Sequence, residues 1–315
     1  MMKHHFSALV LFFSIFCGTT TNINAQERPL KVTYTVNSDK TVAFEYEKTD
    51  PGSYTVILKF RQLSNCSESD EQELSAVHYS GSLLTLKPTD KERGIGFSYT
   101  YASIRGKLRP KYDADFIYIL PCKKGTKVKV SDVGFLGAKY FGNTTPEDWK
   151  VYKFYTQTED TVTAVRKGIV VSVKDLYETG DANNAVYSSK VNEMIIEHAD
   201  GTLATYKGFK HGSIAVKEGQ TVFPGTALGI NSQSNANSKP GIILSVSYLK
   251  STEGIGLEGK TLQNSKSLYG FVTPHFYTDG NANEVLAVKQ EYTAADSPDI
   301  LKKEFTKKEL KQRIK

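Results

Sequence analysis

Outside its first 25 residues the chain has four histidines, His78, His198, His211 and His275, and two cysteines, Cys66 and Cys122. With neighbouring carboxylates, these are the side chains able to hold a metal, relay a proton or act as a nucleophile. The densest group lies in "IIEHADGTLATYKGF", Ile195 to Phe209, where Glu197, His198 and Asp200 precede Tyr206. Two carboxylates and an imidazole could do acid–base work. Asp200-Gly201 is, however, expected for turn reasons alone, because Asp bonds its own backbone and Gly accepts positive φ. That makes His198 a hairpin-end residue able to satisfy backbone groups. His78 stands alone on a strand, His275 in "TPHF" reads as a turn or surface residue, and His211 lies on the turn after the hairpin. A Cys/His pair would need a contact between domains. No G-x-S-x-G elbow or phosphate-cradling P-loop occurs.

The elements that must position these residues are strands. From Val32 to about Val133, segments such as "TVAFEYE", "YTVILKF" and "DFIYILP" alternate, with turns at "NSDK", "DPGS" and "KKG". Their number and spacing predict an antiparallel β-sandwich over 26–145. "FGNTTPEDW" reads as a linker. A second β domain follows over 146–255, with a long polar loop at 177–190. Residues 256–315 form an extension with a strand, "FVTPHFYT", and a basic helix. Ser297 is its N-cap, Pro298 its first turn, and Ile300, Leu301, Phe305, Leu310 and Ile314 its apolar stripe. The fold class is therefore all-β, mainly antiparallel, with a short C-terminal helix.

Residues 1–25 are read as a signal peptide, with a basic start, an apolar run too short to span a bilayer, and a small residue, Ala25, at the cleavage point. A lipoprotein signal using Cys17 is the alternative, weakened by the bulky Phe16. The mature chain is thus expected in the periplasm or cell envelope, or outside the cell, with no transmembrane segment. Export makes one bridge between Cys66 and Cys122 expected, worth about 4 kcal/mol if it forms. Two buried thiols are the alternative. The formal net charge of +6 suits anionic envelope polymers or membrane surfaces, and also a solvated basic terminal helix. No nucleic-acid motif is present.

Residues 149 to about 250 resemble the M23 peptidase domain, the lysostaphin/LytM-like fold that cuts peptidoglycan cross-bridges. The resemblance rests on "TVTAVRKGIVVSVKD", "MIIEHADGTLATY", "VKEGQTVFPGTALG" and "KPGIILSV", and above all on the spacing of Gly168, Gly219, Gly225 and Gly229. It implies a zinc site built from a His-x-x-x-Asp pair, a histidine two residues after a tyrosine, and a His-x-His pair on a strand. A catalytic zinc needs three protein ligands and an open water position. In this sequence those positions fall on Trp149 and Lys153, on Gly208, and on Gly241 and Ile243. Sliding the last pair by one residue reaches only Ile242 and Leu244. His198 matches a family histidine that precedes the turn and is not a ligand.

The resemblance therefore implies a degenerate M23-like domain that has lost its zinc site and uses no cofactor. Three function classes follow. One is a regulator or scaffold of the envelope, binding a protein such as a cell-wall hydrolase through the 177–190 loop or the basic helix. Another is a binder of peptidoglycan, its glycan or its stem peptide, with Trp149, Tyr152, His198 and Tyr206 in the groove, since aromatic faces stack on sugars; core packing is the alternative for these aromatics and the preferred reading for Tyr206. The third is a zinc endopeptidase whose ligands lie elsewhere.

Overall fold

The computed structural model describes residues 29–134, 147–178, 190–234, 237–255 and 267–313. The expected signal peptide, Cys17 and most of the 177–190 loop lie outside the described residues.

Two three-stranded antiparallel sheets form the N-terminal unit. One has the order β1 (Leu30–Val36), β2 (Val42–Lys48), β5 (Ser80–Leu86); the other β4 (Glu71–Ala76), β3 (Tyr54–Ser64), β6 (Gly96–Arg105). Alternation decides what they bury. Val42, Phe44 and Tyr46 of β2 point inward, against Val56, Leu58 and Phe60 of β3. Phe44 and Phe60 meet edge to face at 5.4 Å.

The sandwich is narrower than its expected span of 26–145. β7 (Ile117–Ile119) pairs in parallel with β18 (His275–Thr278). β8 (Lys127–Asp132) pairs with β9 (Val151–Tyr155) and β20 (Glu291–Thr293). Alternating segments identify strands but not their partners, and the partners here lie far along the chain. The second unit is built on a nine-stranded sheet with β14 (Thr221–Val222), β11 (Gly168–Lys174), β12 (Glu193–Glu197), β13 (Leu203–Lys207), β16 (Gly241–Leu249), β9, β8 and β20 in order, and β17 (Tyr269–Phe271) beside β16. Its core packs Tyr152, Phe154, Tyr206, Leu244 and Phe276 on one face. The extension expected over 256–315 is thus woven into this unit through β17, β18 and β20. It ends in two short helices, α1 (Pro298–Lys302) and α2 (Lys307–Arg313), in place of one. The Ser297 side chain accepts from the Ile300 amide at 3.4 Å, as an N-cap does.

Cys66 and Cys122 are free thiols and do not form the expected bridge. Cys122 is buried in the second core, whereas Cys66 packs against the sandwich core, so each belongs to a different cluster. The expectation rested on placing both in one domain.

The units meet at the β3 entry. The Ser53 amide and hydroxyl donate to the two Glu197 carboxylate oxygens at 2.7 and 2.5 Å. Tyr269 donates to the Arg105 carbonyl at 2.7 Å, and the Arg109 amide to Leu249 at 2.8 Å. Arg105 in turn pairs with Asp50 and stacks over Tyr54 at 4.7 Å. Gly52, at φ +83°, sits so close that a Cβ would come within 2.4 Å of Val171 and 2.7 Å of Glu197.

Two outcomes are expected. Gly52→Ala adds a clash and a positive-φ penalty, and should cost about 1–3 kcal/mol in denaturant unfolding. Alkylation of the unreduced chain should modify Cys66 in the native state and Cys122 only after denaturation, because burial pushes the Cys122 thiol pKa up to about 12. A mass showing neither thiol modified after denaturation would restore the bridge.

Candidate functional site

Strand register determines where the five positions implied by the resemblance lie. β16 runs between β13 and β9, and Ile243 stands opposite both Lys207 and Lys153. Gly208 leaves β13 with φ +104°, and a Cβ there would meet the Gly241 carbonyl at 3.0 Å. A Cβ on Gly241 would meet the Phe154 carbonyl at 2.9 Å and the Lys153 Cε at 3.2 Å. Lys153, Gly241 and Ile243 therefore lie on the sheet face turned away from the core, and Gly208 sits at the strand end beside Gly241. Trp149 does not join them. Its Nε1 donates to the Val133 carbonyl at 2.7 Å, and its ring packs on Phe271 at 4.6 Å.

This face is half-buried. Tyr155, Thr205 and Ser245 border Ile243 on it, with Ile195 beyond Thr205. Lys153 donates from Nζ to Ser234 Oγ at 3.0 Å, and that Nζ lies 4.8 Å from the Tyr155 ring centre. Lys207 pairs with Glu193 at 3.0 Å. The donor set does not fit zinc. Glycine and isoleucine offer no side-chain ligand, an indole N–H only donates, and an ammonium brings positive charge toward a cation. Among the described residues no three His, Cys, Asp or Glu side chains are grouped as a metal site requires.

Three expected groove residues lie elsewhere. Tyr152 and Tyr206 alternate with Lys153 and Lys207 along their strands, so they face the core and are fully buried. Tyr206 accepts the Val165 amide at 2.9 Å, and Tyr152 donates to the Leu286 carbonyl at 3.3 Å. Neither can stack on a ligand. His198 is 2% exposed and closes the β12–β13 hairpin, its amide bonded to the Thr202 carbonyl at 2.9 Å. His211 sits beside Asp175 at 3.1 Å, and His275 bonds Asn283 at 2.6 Å.

Beneath the hairpin lies a buried polar cluster that residue spacing does not reveal. His198 Nδ1 contacts Thr202 Oγ1 at 2.8 Å, and its Nε2 is buried with no hydrogen-bond partner. Asp200 accepts from the Thr202 amide and hydroxyl at 3.0 and 2.7 Å, and from Arg166 at 2.7 Å. The buried Arg166 guanidinium stacks 3.7 Å over the Phe116 ring centre and also meets Glu304. Burial, then the nearby Arg166 charge, push the His198 pKa well down against the pull of Asp200, so the ring stays neutral. Burial would raise the Asp200 pKa, but Arg166 and the Thr202 hydrogen bonds outweigh it and hold the carboxyl ionised. The signal for this cluster was an arginine at the first tight turn of the domain, with its second carboxylate 138 residues away.

No protein-family model matches the chain, and no curated protein matches it. Among solved structures it is similar to a chain of the SpoIIIAH and SpoIIQ complex, at 16% identity over 41% of this chain and 90% of that one, with a TM-score of 0.27. It is similar to a putative peptidase M23 from Pseudomonas aeruginosa at 12% identity, over 61% and 82%, with a TM-score of 0.29. For a zinc-containing peptidase from Vibrio cholerae the identity is 14%, over 69% and 74%, with a TM-score of 0.26. Likeness of this degree identifies no activity, and the functional reading rests on the chain's own residues. No helix among the described residues is long and apolar enough to cross a membrane.

The neutral His198 has a measurable consequence. Below its ordinary pKa of 6.5 the unfolded chain takes up a proton that the folded chain refuses. Its contribution is therefore complete above that pH and is lost on acidification, at up to about 1.4 kcal/mol per pH unit. His198→Gln should flatten the decline in unfolding free energy between pH 6.5 and 5; an unchanged slope would place the proton uptake elsewhere.

Proposed function

We propose that the chain is an exported, M23-like protein of the cell envelope that binds a partner without cleaving it. The observation that carries this reading is the convergence of Lys153, Gly241 and Ile243 on one half-open sheet face, with Gly208 beside Gly241 at its end. These are the positions where the resemblance would place zinc ligands and auxiliary histidines, and their side chains cannot activate a water through a metal. The scaffold of a substrate face is kept while its chemistry is replaced by a lysine, two glycines and an isoleucine.

The burial of Tyr152 and Tyr206 favours a peptide or protein ligand over a glycan, because two of the expected sugar-stacking platforms face the core. What remains is an ammonium beside a tyrosine ring and a strip of apolar and hydroxyl side chains. Such a strip suits an extended peptide, either a peptidoglycan stem or a segment of an envelope protein. Export through residues 1–25 would bring the protein to that partner.

The test is sedimentation of the chain from residue 26 onward with purified peptidoglycan, with released fragments and bound metal measured on the same sample. No fragments and no stoichiometric zinc are expected. Pelleting would assign the ligand to the wall, and its absence to a protein captured from envelope extract. In either case Ile243→Asp with Lys153→Glu should weaken binding at least ten-fold. Fragment release, or one zinc per chain, would overturn the reading in favour of a zinc endopeptidase.

A further inference from the structure

The C-terminal segment docks on the turn that holds Arg166 and Lys167. Glu304 accepts from one edge of the guanidinium, Nη2 to Oε1 at 2.7 Å and Nε to Oε2 at 3.0 Å. Lys167 Nζ donates to the Glu304 carbonyl at 3.0 Å and to Glu309 Oε2 at 2.8 Å. Phe305 packs edge-on against Phe223 at 4.8 Å. Lys303 lies over the Phe116 ring that also carries Arg166, at 4.4 Å.

The two sides of this contact differ. Arg166, Phe116 and Tyr118 are buried and belong to the body of the second unit. On the other side, no residue from 295 to 312 is buried. The segment thus adds little apolar burial of its own and is held chiefly by the bidentate Glu304 pair, the Lys167 contacts, Phe305 on Phe223, Lys303 over Phe116, and the exposed Lys124–Asp296 pair at 3.1 Å. Charge balance also permits its departure. Arg166 already pairs with Asp200 at 2.7 Å, so loss of Glu304 leaves a neutral pair behind, not an isolated buried charge.

We propose that the Arg166–Lys167 turn is a binding site for a peptide segment in which an acidic side chain precedes an aromatic one, filled here in cis by Glu304 and Phe305. The planar guanidinium fork selects a carboxylate, Lys167 selects the backbone carbonyl beside it, and Phe223 selects the ring that follows. The chain's own tail is the resident ligand, and the same chemistry supplied in trans competes with it. This site lies at the end of the sheet opposite Gly208 and does not depend on the proposed groove.

The test uses a fluorescent peptide of residues 301–311, LKKEFTKKELK, titrated by anisotropy into the chain from residue 26 onward. The receptors are the unaltered chain and the Glu304→Gln, Phe305→Ala double variant, whose altered side chains are not buried. The peptide should bind the double variant at least ten-fold more tightly than the unaltered chain, whose site is occupied. The same peptide carrying Glu304→Gln and Phe305→Ala should not bind either. Equal affinity for both receptors, equal affinity of both peptides, or no binding to the double variant would overturn the proposal. Both the peptide and the protein are basic, so their non-specific electrostatics are repulsive and cannot supply the expected binding.

Discussion

A guanidinium that cannot be deprotonated has to be neutralised where it is buried, and Arg166 is that group here. Its two carboxylates come from the hairpin turn, Asp200, and from the C-terminal segment, Glu304. Three stretches far apart in sequence are thereby tied to one point. The same hairpin presents Glu197 to Ser53 on its other side, so the sandwich is fixed to it as well. One hairpin end thus serves two joints, through Glu197 at the end of β12 and Asp200 in the turn. His198 fits between them as a neutral ring, kept uncharged by burial and by the arginine beside it.

The same alternation separates what the second unit buries from what it presents. Tyr152, Phe154, Tyr206, Ile242 and Leu244 make the core, and the intervening Lys153, Lys207 and Ile243 make the open face. The ammonium of Lys153 lies on that open face beside Tyr155 and Ser234. Four positions separated in sequence by up to 90 residues meet there, so the face is specified by register and not by local sequence.

Local features were legible in the sequence. The hairpin around Asp200-Gly201, the alternating strands of the sandwich and the Ser297 cap all appear where residue types predict them, because each depends on neighbours within a few positions. What depended on distant partners was not legible. β7 and β8 read as sandwich strands until β18, β9 and β20 are seen to claim them. Cys122 follows β7 and so sits in a different core from Cys66. Tyr206 packs in the core as its position favours, whereas Tyr152 is a core residue and not a groove one, because a strand pattern gives the spacing of its faces without saying which one is covered. Arg166 and Glu304 carry no motif, and only the docking of the tail shows that they belong together.

The pairing of β8 with β20 and of β7 with β18 also sets an order of events in folding. The sandwich draws its strands from residues 30–105 and is complete in chain terms early in synthesis. The second sheet is not, since β8 keeps one open edge until residues 291–293 arrive. Until then two strands carry unpaired backbone groups while more than a hundred residues follow, a long interval of exposure to misassociation. The strand at residues 291–293 therefore supplies the last pairing that β8 makes.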